Sequence, residues 1–430
     1  MQSPSNLQFE TNNRPVVIVD AYSSANALAE AFSKEGFECV HVQTSQATPP
    51  LFVGSEKPEF FKSVLVNTDF EETVAALAAM HPFAIVPGAE SGVDLADALA
   101  TRLSLMSNDP RKVGARRDKF RMQEEIRLAG LRAIPQVKVQ HPDEAVAWAE
   151  EHTYPVVAKP IASAGSDSIF ICHNGRELRE AVVALVGKQN VLGNINDYAL
   201  VQKLITGEQY VVNTVSCDGR HVVTDMWHSR RLHEKGRSIA YDYAELLPYE
   251  GDIQEELIAY SVEVLAALGI RYGAAHTELF VTSNGPVLIE TGARMVGSGV
   301  PRIVSICTGH GQLELTVLAY TDPFAFQKRL TPYTLIKNAR LVAMISRQTG
   351  TLITDPDLSE IRKLRSFHYA RMYLKKGDTI SRTTDLISSP GDIHLIHADV
   401  EQLDIDLKEV RRLEQTIFEI ADASTSGAVE

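Results

Sequence analysis

The stretch Ala274-Ala-His-Thr-Glu-Leu-Phe-Val-Thr-Ser-Asn-Gly-Pro-Val-Leu-Ile-Glu290 decides how the chain is read. Two β-rich runs flank Ser283-Asn284-Gly285, which predicts an antiparallel hairpin. With the turn centred on Asn284, Thr282 falls opposite Pro286. Counting back along both strands sets Glu278 directly opposite Glu290. Opposed residues in a ladder have Cβ atoms about 4.5–5.5 Å apart, where two carboxylates repel. Such a pair needs a cation or a shared proton. One or two carboxylates whose shell is completed by nucleotide phosphates suit Mg²⁺. The same spacing also fits two glutamates on a solvated sheet face. After Glu290 the chain reads Thr-Gly-Ala-Arg294-Met-Val-Gly297-Ser298-Gly299. A guanidinium in this glycine-rich loop suits an oxyanion or a transferring phosphoryl group, or a salt bridge back to Glu278 or Glu290.

Moving toward the N-terminus, Val211 to Cys217 and His221 to Met226 flank Asp218-Gly219, a second hairpin signal. Before it, Gln202-Lys203-Leu204-Ile-Thr-Gly-Glu208 is a strand that breaks and resumes. Exposed backbone at such a break can bind an adenine edge, and a carboxylate just beyond it can take ribose hydroxyls. Further back, Lys159 ends an otherwise apolar strand, either as a solvated edge or as a placed cation. The small residues Ser163, Ala164, Gly165, Ser166 and Ser168 follow it. A loop of this kind lets backbone N–H groups approach a phosphate, or is simply a flexible turn. It is not a Walker loop, since no Gly-Lys-Ser/Thr follows.

The chain has 430 residues, of which 44% are apolar and 23% charged, with a net charge of −13. That composition is ordinary for a soluble globular protein and argues against non-specific nucleic-acid or anionic-membrane binding. Cys39, Cys172, Cys217 and Cys307 form no CxxC pair, which excludes a cysteine-rich zinc site and reads as buried thiols in a reducing, cytoplasmic setting. No apolar run approaches the length of a membrane span. Residues 1–14 read as a disordered leader. Residues 15–109 alternate short apolar strands with amphipathic helices, a small doubly wound parallel α/β domain. Residues 110–328 carry the hairpins above, with a helix opening at Asp118. Residues 329–420 are a further α+β unit, and 421–430 a tail.

The ordered set Lys119, Ala158-Lys159-Pro160, the Ser/Gly loop, Gln202 to Glu208, Glu278 and Glu290-Thr-Gly-Ala-Arg294 resembles the ATP-grasp superfamily of carboxylate–amine ligases. The Glu-x-Gly-Ala-Arg signature and the loop Pro87-Gly-Ala-Glu-Ser-Gly92 look most like the L-amino acid ligases, which make dipeptides. The resemblance implies a Rossmann-like domain followed by an ATP-grasp fold with a C-terminal capping subdomain. It implies that Lys119 and Lys159 hold the ATP phosphates and that residues 163–168 cover them. Gln202, Lys203 and Leu204 take the adenine, and Glu208 the ribose. Glu278 and Glu290 hold Mg²⁺, or alternatively Mn²⁺, and Arg294 is catalytic. Superfamily members outside this subfamily often carry an asparagine two residues after the second glutamate. Gly292 stands there, so Asp242 or Glu245 is expected to supply another metal oxygen.

For the amino acid substrates, Glu90, Ser91 and Glu245 are candidates for an amino group and Arg302 for a carboxylate. Gly297, Ser298 and Gly299 leave room for a side chain, and His276 shares a strand face with Glu278. His228 and His233, with Arg230 and Arg231, are expected in a loop. The expected activity is ATP-dependent joining of two L-amino acids through an aminoacyl phosphate, by a homodimer that needs neither nucleic acid nor membrane. Two alternatives keep the fold: a ligase or carboxylase for another carboxylate–amine pair, and a non-catalytic ATP-binding regulator. A dinucleotide oxidoreductase is disfavoured, because Asp20-Ala-Tyr-Ser-Ser-Ala25 holds no glycine fingerprint.

Overall fold

The computed structural model describes residues 14–234, 237–384 and 388–421. The leader expected at 1–14 and the tail expected at 421–430 therefore lie outside the described residues, apart from one residue each.

The chain opens on four apolar strands, β1 (Val16–Val19), β2 (Cys39–Gln43), β3 (Ser63–Val66) and β4 (Ala84–Pro87). They form one parallel sheet in the order β3-β2-β1-β4. β1 reads Val-Val-Ile-Val because both of its faces are covered. Val16 and Ile18 pack with Leu28 and Phe32 of α1 (Asn26–Lys34). Val17 and Val19 pack with Leu77 of α2 (Phe70–Met80) and Leu99 of α3 (Val93–Arg102). The β4–α3 loop passes so close to β1 that a Cβ on Gly88 or Gly92 would lie 2.4 Å from the carbonyl oxygen of Asp20 or Val19. Only glycine allows that approach.

A junction follows. Arg116, wholly buried, donates from Nε to Asp97 Oδ2 of α3 at 2.7 Å and from Nη1 to the carbonyls of Asp109 and Leu268. α4 (Lys119–Leu128) then starts as expected, with Asp118 accepting from the Arg121 N–H at 2.9 Å. The next unit is a four-stranded antiparallel sheet, β5 (Gln136–Val139), β6 (Val156–Pro160), β7 (Phe170–Cys172) and β8 (Ala199–Lys203), ordered β5-β8-β6-β7. α5 (Pro142–His152) and α6 (Gly175–Leu185) bury Ala145, Ala149, Leu178 and Val182 against it.

β9 (Glu208–Cys217), β10 (Arg220–Glu234) and β11 (Arg237–Leu246) come next, then α7 (Asp252–Ala267), β12 (Gly273–Thr282) and β13 (Gly285–Gly292). α8 (Val300–Thr308), α9 (Gln312–Thr321) and α10 (Pro323–Gln327) lead to β14 (Asn338–Ala343), β15 (Gly350–Thr351), β16 (Phe367–Met372), β17 (Thr379–Ile380), β18 (Gly391–His397) and α11 (Val400–Ile417). Eight of these strands make one antiparallel sheet, ordered β13-β12-β9-β10-β11-β14-β18-β16. Strands from after residue 329 thus continue the sheet that carries Glu278 and Glu290. Along β9, even-numbered residues such as Val212 pack on α7 with Leu257 and Val264. Odd-numbered residues face the opposite way: Gln209 and Val211 line a cavity, and Val215 and Cys217 pack with Leu315 and Ala319 of α9. The β9–β10 turn is Asp218-Gly219 with φ of 50° and 75°, as the sequence predicts.

Arg116 joins α3 of the first unit to the end of α7. Removing one member of a buried ion pair leaves the other charged and unpaired, so Arg116→Ala is expected to destabilise the protein by about 3–5 kcal/mol. The measurement is urea unfolding followed by circular dichroism, and a loss under about 1 kcal/mol would refute the junction's importance.

Candidate functional site

The two glutamates face each other in the register expected, Glu278 opposite Glu290, but by a different route. The turn is one residue tighter than predicted, with Thr282 opposite Gly285 and Val281 opposite Pro286. Unbroken, that pairing would set Glu278 against Ile289 and turn Glu290 to the far face. A β-bulge between Glu278 and Leu279 makes Ile289 the extra residue and returns Glu290 to the pair. Both carboxylates then line a cavity of about 490 Å³ between the large sheet and the small one.

Two lysines reach the same place. Lys119 Nζ lies 2.9 Å from Glu290 Oε2 and donates to the Ser163 carbonyl at 2.8 Å. Lys159, at the end of β6, is buried in the cavity wall. Burial lowers its ammonium to about 8, with Lys119 adding to the effect and Glu290 and Glu278 opposing it. Burial alone would raise the Glu290 carboxyl, yet Lys119, Lys159 and Arg294 together hold it below the ordinary range.

The small-residue loop turns sharply, with positive φ at Gly165, Ser166 and Ser168. Ser163, Ala164, Gly165 and Ser166 line the cavity, as do Gln202, Lys203 and Leu204 opposite. Ser168 does not. Its hydroxyl donates to Asp167, as does that of Ser163, each at 2.7 Å, so Asp167 knots the loop. A contact from the first domain holds this region. The Leu51 N–H donates to the Val191 carbonyl at 3.0 Å, while Phe52, Tyr22 and Leu192 pack beside Ala164.

Arg294 lines the cavity and donates from Nε to Glu90 Oε2 at 3.0 Å. Gly292 explains how that pair fits: a Cβ there would stand 2.8 Å from Glu90 Oε2. The space beside Gly292 that a side chain would fill is here taken by the carboxylate of the β4–α3 loop. Ser91 is committed elsewhere, its hydroxyl donating to the buried Asp20 at 2.5 Å. Gly297 and Ser298 line the cavity, whereas the Gly299 N–H donates to Ser24 Oγ outside it. Arg302 is corrected outright. Its side chain is 63% exposed and pairs with Glu30 of α1 at 2.9 Å, because α8 turns it away from the cavity.

Three further expectations fail by strand phase. Glu208 is even-numbered on β9, so it points away from the cavity and meets His228 Nε2 at 2.9 Å. Its neighbour Gln209 points in. Asp242 is the extra residue of a bulge in β11, since Arg230 pairs with Tyr243 and Arg231 with Tyr241. Its carboxylate is gripped by Arg411 of α11 at 2.6 Å, and it lines a separate cavity there. Glu245 pairs with Arg230 at 3.0 Å and lies near His228. Neither residue reaches Glu278 or Glu290. His228, Arg230 and Arg231 belong to β10 and His233 lies within it, so the loop expected there is strand.

The sequence does not point to Gln209, Tyr241, Tyr373, Asp392 and His394, all in the cavity wall; Arg231, expected in a loop, joins them from β10. Gln209 was open to discovery, because two-residue alternation from Glu208 puts it on the other face. His276 lines the cavity as expected. Among the described residues, no group of three or more His, Cys, Asp or Glu is gathered to hold a metal. Glu278 and Glu290 fit Mg²⁺ as two hard, cavity-facing carboxylates whose shell a nucleotide would complete. The four cysteines are buried and unpaired. No helix among the described residues is long and apolar enough to cross a membrane.

Comparison with known proteins agrees with this arrangement. A family model described as an ATP-grasp domain matches residues 152–302. Dapdiamide A synthase of Enterobacter agglomerans is 34% identical over 422 residues, 95% of this chain and 98% of that protein. The L-arginine-specific L-amino acid ligase of Bacillus subtilis is 21% identical over 301 residues, 65% of this chain and 72% of that protein. The solved L-amino acid ligase from Bacillus licheniformis superposes with a TM-score of 0.72 at 18% identity, covering 93% of this chain and 97% of that one. N5-carboxyaminoimidazole ribonucleotide synthetase from Thermus thermophilus gives 0.64 at 14% identity, covering 95% and 99%.

Lys159 and Gly292 each carry a prediction. Nucleotide phosphates favour the charged lysine, so ADP affinity is expected to fall as pH rises through about 8, approaching tenfold per unit. The unfolded chain's lysine holds its proton to about 10.4, so this group's contribution to stability rises across the same window. Calorimetric titration from pH 7 to 9.5 reads the affinity, and a flat profile, or the same slope in Lys159→Gln, would contradict the assignment. Gly292→Ala should push Glu90 off Arg294 while leaving stability within about 1 kcal/mol. ATP-dependent phosphate release is then expected to drop about 100-fold.

Proposed function

The chain belongs to the ATP-grasp superfamily of carboxylate–amine ligases, and on that basis we propose that it joins two L-amino acids into a dipeptide, forming ADP and phosphate. The observation that carries this reading is the Glu90–Arg294 pair beside the opposed glutamates. Arg294, which lines the cavity, is then the guanidinium for a developing oxyanion. Glu90, held by Arg294 and near Arg117 but not itself in the cavity lining, is the carboxylate for an α-ammonium group. The relatives that match most of the chain's length, among them dapdiamide A synthase, support a ligase of small molecules.

In this reading Gln202, Lys203 and Leu204 seat the adenine. Lys119 and Lys159 hold the phosphates, and the 163–168 loop covers them. Glu278 and Glu290 hold Mg²⁺, which when bound neutralises phosphate charge. A carboxylate oxygen of the first amino acid attacks the γ-phosphorus as the bond to ADP breaks, giving an acyl phosphate. Glu90 keeps that substrate's ammonium in place. The amine of the second amino acid attacks the acyl carbon, Arg294 stabilises the oxyanion, and phosphate leaves with its bonding pair while the amine gives up a proton. The wall must exclude water, or the acyl phosphate hydrolyses. The enzyme is taken to be a cytoplasmic homodimer, consistent with its unpaired buried cysteines.

A second reading, a carboxylase for another acceptor, is favoured by the likeness to N5-carboxyaminoimidazole ribonucleotide synthetases. A non-catalytic ATP binder is disfavoured, because it has no use for Arg294 beside both glutamates and both lysines. Phosphate release from ATP and Mg²⁺, measured with all pairs of amino acids and with mass spectrometry of products, decides among them. Pair-dependent release with a dipeptide mass is expected, falling about 10²–10³-fold in Arg294→Ala. Bicarbonate-dependent turnover without peptide would establish the carboxylase instead.

A further inference from the structure

Asp225 is buried in the large sheet, and the mechanism above does not use it. It reaches the cavity face of β10 through a bulge at Thr224, since Val223 pairs with Thr214 but Asp225 with Asn213. A carboxylate only accepts hydrogen bonds. Asp225 accepts from Asn213 Nδ2 at 2.5 Å, Trp227 Nε1 at 2.6 Å and Thr224 Oγ1 at 2.7 Å. Because Asn213 must present its amide nitrogen to Asp225, its oxygen is left for the next neighbour. That neighbour is His276, whose Nδ1–H donates to Asn213 Oδ1 at 2.8 Å. With Nδ1–H committed there, the ring turns Nε2 toward Glu278 Oε1 at 3.3 Å, a contact that is a donated hydrogen bond only in the imidazolium form.

The other oxygen of Glu278 is reached by a parallel chain. Gln209 Nε2 donates to Glu278 Oε2 at 3.1 Å. The Gln209 amide is oriented in turn by two donors to its oxygen, Arg231 Nη2 at 2.7 Å and Tyr241 Oη at 3.0 Å. The ladder makes this symmetrical. Glu278 pairs with Val211, and Asn213 and Gln209 stand two residues either side of Val211 on the same face.

We infer that Gln209 and His276 are positioning residues for Glu278, Gln209 donating to one carboxylate oxygen and the His276 ring edge standing against the other, so that the carboxylate presents its free lone pairs to the metal. Asn213–Asp225 and Arg231–Tyr241 fix these two side chains. This rests on the reading of Glu278 as a Mg²⁺ ligand. Outer partners that orient a ligand typically set metal affinity by about 10–100-fold.

The test uses the full chain with ADP, reading Mn²⁺ binding by electron paramagnetic resonance and ADP binding in EDTA by calorimetry. Gln209→Leu and His276→Phe are each expected to weaken Mn²⁺ about 10–100-fold. Tyr241→Phe should weaken it about threefold, through loss of one hydrogen bond to Gln209. ADP affinity in EDTA should stay within about twofold in all three, since none of these contacts involves the lysines. The two inner variants approach Glu278 from opposite sides, so if one fails to fold the other still decides. Unchanged Mn²⁺ affinity in a folded inner variant overturns the inference, as does an equal loss of ADP affinity in EDTA. A wild-type protein that binds no Mn²⁺ with ADP overturns the assignment of Glu278 itself.

Discussion

Everything around the cavity answers to one electrostatic constraint: two half-buried glutamates held opposite each other on adjacent strands of the cavity wall. Like charges at that separation are tolerable only if cations arrive from elsewhere. They arrive from three distant parts of the sequence. α4 brings Lys119, β6 brings Lys159, and the loop after β13 brings Arg294. Two of them also do a mechanical job. Lys119 ties the base of the small-residue loop to the sheet, and Arg294 ties the first domain's β4–α3 loop to it. Charge balance and the docking of separate units are therefore the same set of contacts.

Strand phase, set by bulges, chooses which side chains join them. Extra residues at Thr224, Asp242 and Ile289 each shift the alternation by one. One brings Asp225 to the cavity face, one sends Asp242 to α11, and one returns Glu290 to face Glu278. A bulge leaves little trace in a sequence, because hydrophobic alternation on a sheet packed on both sides is weak. This is why the sequence yields the glutamate pair by a route in which a turn read one residue too long and an unseen bulge cancel. It is also why Asp242 and Glu245 were misplaced. Glu208 is a different case: simple alternation from Glu278 across the ladder would have pointed to Gln209.

The first parallel sheet, the cap at Asp118, the Asp218-Gly219 turn and the Lys, Glu and Arg positions of the cavity were legible, since each depends on local pattern or ordered motif. Contacts made across the chain were not. Nothing near Arg302 forecasts Glu30, and nothing in residues 329–430 announces that β14 and β18 extend the central sheet and bring His394 and Asp392 to the cavity wall. Those strands carry no motif because their contribution is a wall, set by register rather than by residue type.

The close approach of Glu90 to Gly292 links two positions 202 residues apart in a way that limits how such proteins diverge. With glycine at 292 the carboxylate has room beside Arg294; a Cβ there would stand 2.8 Å from Glu90 Oε2 and oblige that side chain to shift. On the proposed function, a residue at 292 that added a third metal oxygen would therefore displace the glutamate assigned to the substrate's ammonium. The two positions are then expected to covary among relatives, through contact rather than through any shared sequence neighbourhood.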